Sequence, residues 1–133
     1  MDPIILQATK STPAVHFDAQ SSILKISGES YPENALAFYT PLKQWIQQFL
    51  GELQGSTVLQ LHLTYLNTSS TRFMLMLLDQ FEDAFKAGKS VEVCWYYHPD
   101  DDRSYEAGDE FREDLTVPFE ILATTEPLGE EDR

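Results

Sequence analysis

From Thr57 to Leu66 the side chains alternate. Leu59, Leu61, Leu63 and Tyr65 fall on one side, and Gln60, His62 and Thr64 on the other. That period of two predicts a strand with one face toward a core. Ser90 to Tyr97 repeats the pattern, with Val91, Val93, Trp95 and Tyr97 opposed to Glu92, Cys94 and Tyr96. Between them Phe73, Leu77, Phe81 and Phe85 recur every fourth residue and predict a helix from about Thr68 to Ala87, stopped by Gly88. Upstream, Ile4–Leu6, Ala14–Phe17 and Ile23–Ile26 read as short strands, with Pro13 before the second and a polar turn over Asp18–Ser22. Ser30 and Glu33 fit a capping box that would open the first helix. Pro41 is expected to kink or restart it, with Thr40 as a second cap. Leu42, Trp45, Ile46, Phe49 and Leu50 carry its apolar face as far as Gly51 or Gly55. Asp102 would cap a third helix running through Leu115, and Val117–Ala123 closes as a strand.

The predicted order is β-β-β-α-β-α-β-α-β. Strands alternating with helices indicate an α/β fold with a mixed sheet and right-handed crossovers. A doubly wound sheet would want strands apolar on both sides. The half-polar strands instead place the helices mainly on one face and leave the other more open. At 133 residues the chain fits one domain. Residues 1–125 are assigned to it, and 126–133 to an acidic, flexible tail.

Composition excludes several classes. Hydrophobic residues make up 42% of the chain, which is incompatible with full disorder. The longest apolar run is far short of the ~20 residues that span a bilayer. No basic stretch precedes the apolar residues at Met1–Ile4, so no secretory signal is expected. One cysteine, Cys94, suits a cytoplasmic protein and reads as a small buried filler. The net charge is −13, and 13 acidic against 3 basic residues lie from His98 onward. With no cluster of Lys and Arg, neither nucleic acid nor an anionic membrane is an expected partner. The acidic third reads as a solvated helix and tail, or as a docking surface for a basic partner.

No glycine-rich phosphate loop, nucleophile elbow or paired Cys/His spacing is present, so no cofactor or metal is expected. His16, His62 and His98 are scattered, and Asp100–Asp102 fit a solvated loop with a cap better than a cation site. The segment that stands apart is Asn67-Thr68-Ser69-Ser70-Thr71-Arg72. Four hydroxyls join a buried strand to a buried helix, although one suffices for capping. A helix N-terminus also tolerates phosphate, through free amides and the positive end of its dipole. No carboxylate occurs between Glu52 and Asp79, and Arg72 is close enough in sequence to pair with a phosphoryl group. Capping and a phosphoryl switch are both open on residue chemistry. Met74, Leu75 and Met76 cannot all face one core, so at least one is expected at the surface near Thr68, either in ordinary packing or in a docking patch.

Five blocks carry a family resemblance: Ser11-Thr12-Pro13-Ala14-Val15, Gly28-Glu29-Ser30-Tyr31-Pro32-Glu33-Asn34-Ala35, Tyr65-Leu66-Asn67-Thr68-Ser69-Ser70, Trp95-Tyr96-Tyr97 and Phe111-Arg112-Glu113-Asp114. Together, over about Ser11 to Ile121, they resemble the SiaC family of bacterial regulatory phosphoproteins. The resemblance implies a STAS-like fold, as in anti-sigma-factor antagonists, with the phosphoacceptor at Thr68 and Asn67, Ser69, Ser70, Thr71 and Arg72 around it at the partner contact. The Asp-Ser-Gly form of ordinary antagonists is replaced by Asn67-Thr68-Ser69, so a sigma-factor pathway is not implied. What the resemblance implies instead is partner switching. A cognate kinase would phosphorylate Thr68, a PP2C-type phosphatase would remove the phosphate, and the unmodified form would activate a diguanylate cyclase and promote biofilm growth. Two other readings stand beside it: a small enzyme using His62 with carboxylates from Glu29–Glu33 or Asp100–Glu106, and a passive scaffold.

Overall fold

The alternation along the two central strands sets the layers. A computed structural model describes residues 1–127, so the tail expected at 126–133 lies almost wholly outside the described residues. The strands are β1 (Ile4–Leu6), β2 (Ala14–Asp18), β3 (Ile23–Ser30), β4 (Ser56–Leu66), β5 (Ser90–Tyr97) and β6 (Phe119–Ala123). The helices are α1 (Ala35–Glu52), α2 (Thr68–Lys86) and α3 (Asp102–Glu113). The order of elements is the predicted one. The six strands form one sheet in sequential order, antiparallel from β1 to β3 and parallel from β3 to β6. Each β-α-β step moves to the next neighbour in the same direction, so right-handed crossovers put all three helices on one face.

The buried set confirms that layering. Leu59, Leu61, Leu63, Val91, Val93 and Trp95 are buried under the helices with Val15, Phe17, Leu24 and Ile26. Gln60 and His62 are half-buried, and Thr64 and Glu92 are exposed. The open face is not uniformly wet, since Lys25 and Cys94 on it are buried, Cys94 as expected. At the strand ends the pattern lapses: Tyr65 is exposed beyond the register shift at Thr64, and Tyr97 is half-buried against Tyr105 of α3.

Several local expectations are corrected. The strand β3 runs to Ser30, four residues beyond the expected end. Its pairing with β4 continues past a register shift, where Gly28 faces Leu63, Glu29 faces Tyr65 and Thr64 is passed over, with Gly28 at φ 118°, a conformation side chains disfavour. Ser30 therefore pairs with Leu66 inside the sheet and caps nothing. The cap of α1 is Asn34, whose side chain accepts from the Ala37 amide at 3.0 Å. Pro41 lies inside an uninterrupted α1, and Thr40 starts no second helix. The amide that proline lacks would have met the Ala37 carbonyl. Ala37 and Pro41 are both exposed, so solvent is available to that carbonyl. Asp101, not Asp102, caps α3 by accepting from the Ser104 amide at 3.1 Å. That helix ends at Glu113, and β6 starts at Phe119 because the amides of Thr116 and Val117 donate to Glu82 on α2. Phe85 is exposed, and the inner stripe of α2 is Met74, Leu77, Leu78, Phe81 and Ala84.

Candidate functional site

The junction between β4 and α2 sorts its hydroxyls by direction. Asn67 is the N-cap, its Oδ1 accepting from the Ser70 amide at 2.9 Å, while its own carbonyl accepts from the Thr71 amide and hydroxyl. Asn ranks with the best caps, so the signal was present in the sequence although a hydroxyl had been expected there. Ser70 is fully buried, its Oγ 2.7 Å from Ser30 Oγ, which lies 2.6 Å from the Tyr39 hydroxyl. Ser70 is therefore inside the protein and not on the expected contact surface. Thr71 is half-buried and bonded back to Asn67. Thr68 and Ser69 remain, both exposed in the first turn of α2.

Capping is thus complete without Thr68. The first turn holds no acidic residue, and the amides of the first helical residues have no intrahelical acceptor. A phosphoryl group on Thr68 would meet the positive end of the helix. Arg72 is exposed one turn further on, at the i+4 spacing that brings side chains together on one helix face. One carboxylate lies nearer than the sequence suggested: the register sets Glu29 opposite Tyr65, two residues before Asn67.

The same solvent face continues as apolar surface. Leu75 is 45% and Met76 42% exposed, whereas Met74 is 0% exposed and packs inward. Leu36, in the first turn of α1, is also exposed. Both helices follow parallel strands and pack side by side, with Tyr39 of α1 stacked on Phe73 of α2 at 5.4 Å, so their N-termini lie at one end of the molecule. Tyr65 is exposed at that end and meets Tyr31 edge-on at 5.9 Å. An exposed aromatic and three exposed aliphatic side chains around two free hydroxyls make a surface suited to a protein partner.

The His62 arrangement is different. Burial holds its pKa below the ordinary value, the Asp101 carboxylate opposes that, and His98 reinforces it. Yet His62 lines neither of two cavities formed among the described residues. The larger, about 480 Å³, is lined by Ser21, Ser22, Ser56, Thr57, Ser90 and Glu92 at the start of the parallel strands, the end away from Thr68. Asp101, from the Asp100–Glu106 stretch, is the carboxylate whose charge acts on His62. Among the described residues no group of His, Cys, Asp and Glu is placed to hold a metal, and no helix is long and apolar enough to cross a membrane.

Comparison with known proteins meets this geometry. An uncharacterized protein of Pseudomonas aeruginosa strain UCBPP-PA14 is 39% identical over 126 residues, 95% of this chain and 100% of that one. The solved structure of SiaC of Pseudomonas aeruginosa superposes with a TM-score of 0.87 at 39% identity, over 93% of this chain and 100% of the other. A crystal structure of the diguanylate cyclase SiaD with its activator SiaC, from the same organism, gives 0.88 at 39% identity, over 91% of this chain and 99% of that one. The model of a family of regulatory phosphoproteins matches residues 6–124, nearly the whole domain. On that match and those identities the chain belongs to the SiaC family.

Proposed function

We propose that the unmodified protein binds and activates a diguanylate cyclase, and that phosphorylation of Thr68 releases it. The observation that carries this is the shared face of α2: an exposed Thr68 hydroxyl leads into exposed Leu75 and Met76. The relative at 39% identity was solved with a cyclase, as its activator, and this supports the same class of partner here. The cognate kinase would be of the anti-sigma-factor type and the opposing phosphatase of the PP2C type, acting in the cytoplasm. Release of the cyclase would lower cyclic di-GMP, and its activation would favour biofilm growth.

The physics fits a surface switch. Phosphate adds about 1.5–2 negative charges at neutral pH. On Thr68 that charge faces the helix dipole favourably and has Arg72 one turn away, so α2 is not expected to melt. The cost falls on a partner whose apolar side chains would have to desolvate the phosphate. A hundredfold loss of affinity needs about 2.7 kcal/mol, well within such a penalty. Intact-mass measurement and phosphopeptide mapping on protein from its native host test the acceptor. Modification confined to Thr68, and absent from Thr68→Ala, is the expected result. A Thr68→Ala protein still modified to the same extent on Ser69 would refute it.

A further inference from the structure

One residue, Ser30, holds both ends of the arch that carries Thr68. Its backbone carbonyl accepts from the Asn67 amide at 3.0 Å, and its side-chain oxygen lies 2.7 Å from Ser70 Oγ. Thr68 and Ser69 are the two residues between those anchors, and the Asn67 side chain closes the arch onto the Ser70 amide. The Ser30 hydroxyl is also 2.6 Å from the Tyr39 hydroxyl. Ser30, Tyr39 and Ser70 come from β3, α1 and α2, and each is 0% exposed. Burial raises the pKa of the Tyr39 phenol, and the two serines partly offset this, so the phenol stays protonated and available as a donor. The Tyr39 ring stacks on Phe73 of α2 at 5.4 Å. Apolar side chains could fill such a space without the cost of burying hydroxyls. A hydrogen-bonded polar cluster instead selects one arrangement of the elements that meet there.

We propose that the Ser30–Tyr39–Ser70 hydroxyl cluster is the positioning element of the switch: it fixes the arch so that Thr68 is presented and Ser70 is withheld. This rests on reading Thr68 as the phosphoacceptor. The cluster also ties the second turn of α1, which follows exposed Leu36, to the first turn of α2, so the two parts of the docking face hold one geometry. Ser30 is the central member. Its loss takes the shared partner from the Tyr39 and Ser70 hydroxyls, whereas Tyr39→Phe removes one oxygen and keeps the stacked ring.

Hydrogen–deuterium exchange on Ser30→Ala, Ser30→Thr, Tyr39→Phe and Ser70→Ala tests the first half, together with phosphopeptide mapping of the same proteins from the native host. The bonded amides of Ser70, Thr71 and Arg72 should exchange about tenfold faster in Ser30→Ala, the factor expected for unbonded buried hydroxyls, and less so in Tyr39→Phe. Amides in β4 and β5 should keep their protection, and Ser30→Thr should restore the arch. In Ser30→Ala, phosphate should spread from Thr68 onto Ser69 and Ser70. Uniform acceleration across the chain, or none, overturns the proposal, as does an unchanged acceptor pattern with a loosened arch. If the unaltered protein is not modified on Thr68 at all, the switch reading fails, and the exchange result alone still judges whether the cluster holds the arch.

Discussion

Asn67→Ala and Thr68→Ala separate a cap from a switch at adjacent positions. In Asn67→Ala the Ser70 amide loses its 2.9 Å acceptor in a partly buried site, while the bonds to the Asn67 carbonyl survive. Removing a good cap costs about 0.5–2 kcal/mol, and the stranded amide puts this case at the upper end. For a domain of this size about 1 kcal/mol moves the melting temperature by roughly 4 °C, so a fall of about 4–8 °C is expected. Thr68 is exposed and caps nothing. Alanine is the better helix former there, so Thr68→Ala should stay within about 0.5 kcal/mol of the unaltered protein or gain slightly. Thr68→Asp places a carboxylate in the first turn and should stabilise by about 0.3–1 kcal/mol. Binding should follow a different order. Thr68→Ala should bind the cyclase as the unaltered protein does, and Thr68→Asp should bind more weakly despite being the most stable. Differential scanning calorimetry beside titration calorimetry reads both quantities. Equal destabilisation by Asn67→Ala and Thr68→Ala, or binding that simply follows stability, would refute the reasoning.

The other predictions concern the frame and the docking face. Glu82 is buried on α2 and accepts from the Thr116 hydroxyl and the Thr116 and Val117 amides. Burial alone would raise its pKa, but those bonds, aided by Lys86, bring it below the ordinary 4.5. A depressed pKa contributes stability that is full above the unfolded value and is lost as pH falls through the folded one. Glu82→Gln should therefore lower the melting temperature at pH 7 and flatten its fall below about pH 4.5, as read by melts across a pH series. Gly108→Ala should destabilise by about 1–3 kcal/mol in chemical denaturation despite better helix propensity. An added Cβ would sit 2.5 Å from Trp95 Cδ1, and that indole is buried and donates to the Ser104 carbonyl, so it cannot yield. Leu75→Ser with Met76→Ser should leave stability within about 1 kcal/mol, since both are exposed, and weaken cyclase binding at least tenfold by titration calorimetry.

The central strands were legible because one buried face forces a strict alternation, and Ser90–Tyr97 matched at both ends. The end of β3 was not, because Gly28, Glu29 and Ser30 offer no apolar side chain to extend the alternation of Leu24 and Ile26, although Ser30 stays buried on their side. The false cap at Ser30 follows from it: a serine with a glutamate three residues on fits a capping box whether or not the chain has left the sheet. Pro41 misled because its effect depends on whether the freed carbonyl faces solvent, a tertiary fact. At the candidate site, the place of Thr68 and Arg72 at the start of α2 was readable from the strand's end, and the surfacing of Leu75 and Met76 from three adjacent apolar residues on one helix. The roles of Ser30 and Tyr39 were not, since their partners lie 40 and 9 residues from Ser30, across three elements. The exposed Leu36 and Tyr65 escaped because each sits in a pattern that reads as core until the helices' limits are known.

The account turns on whether phosphate at Thr68 controls cyclase binding. Titration of the host's diguanylate cyclase with unmodified and fully phosphorylated protein, with cyclic di-GMP synthesis followed in the same samples, measures this directly. The unmodified form should bind and raise synthesis, and the phosphorylated form should bind about a hundredfold more weakly and leave synthesis at the cyclase's own rate. Equal affinity and equal activation by the two forms would contradict the switch and leave a constitutive activator.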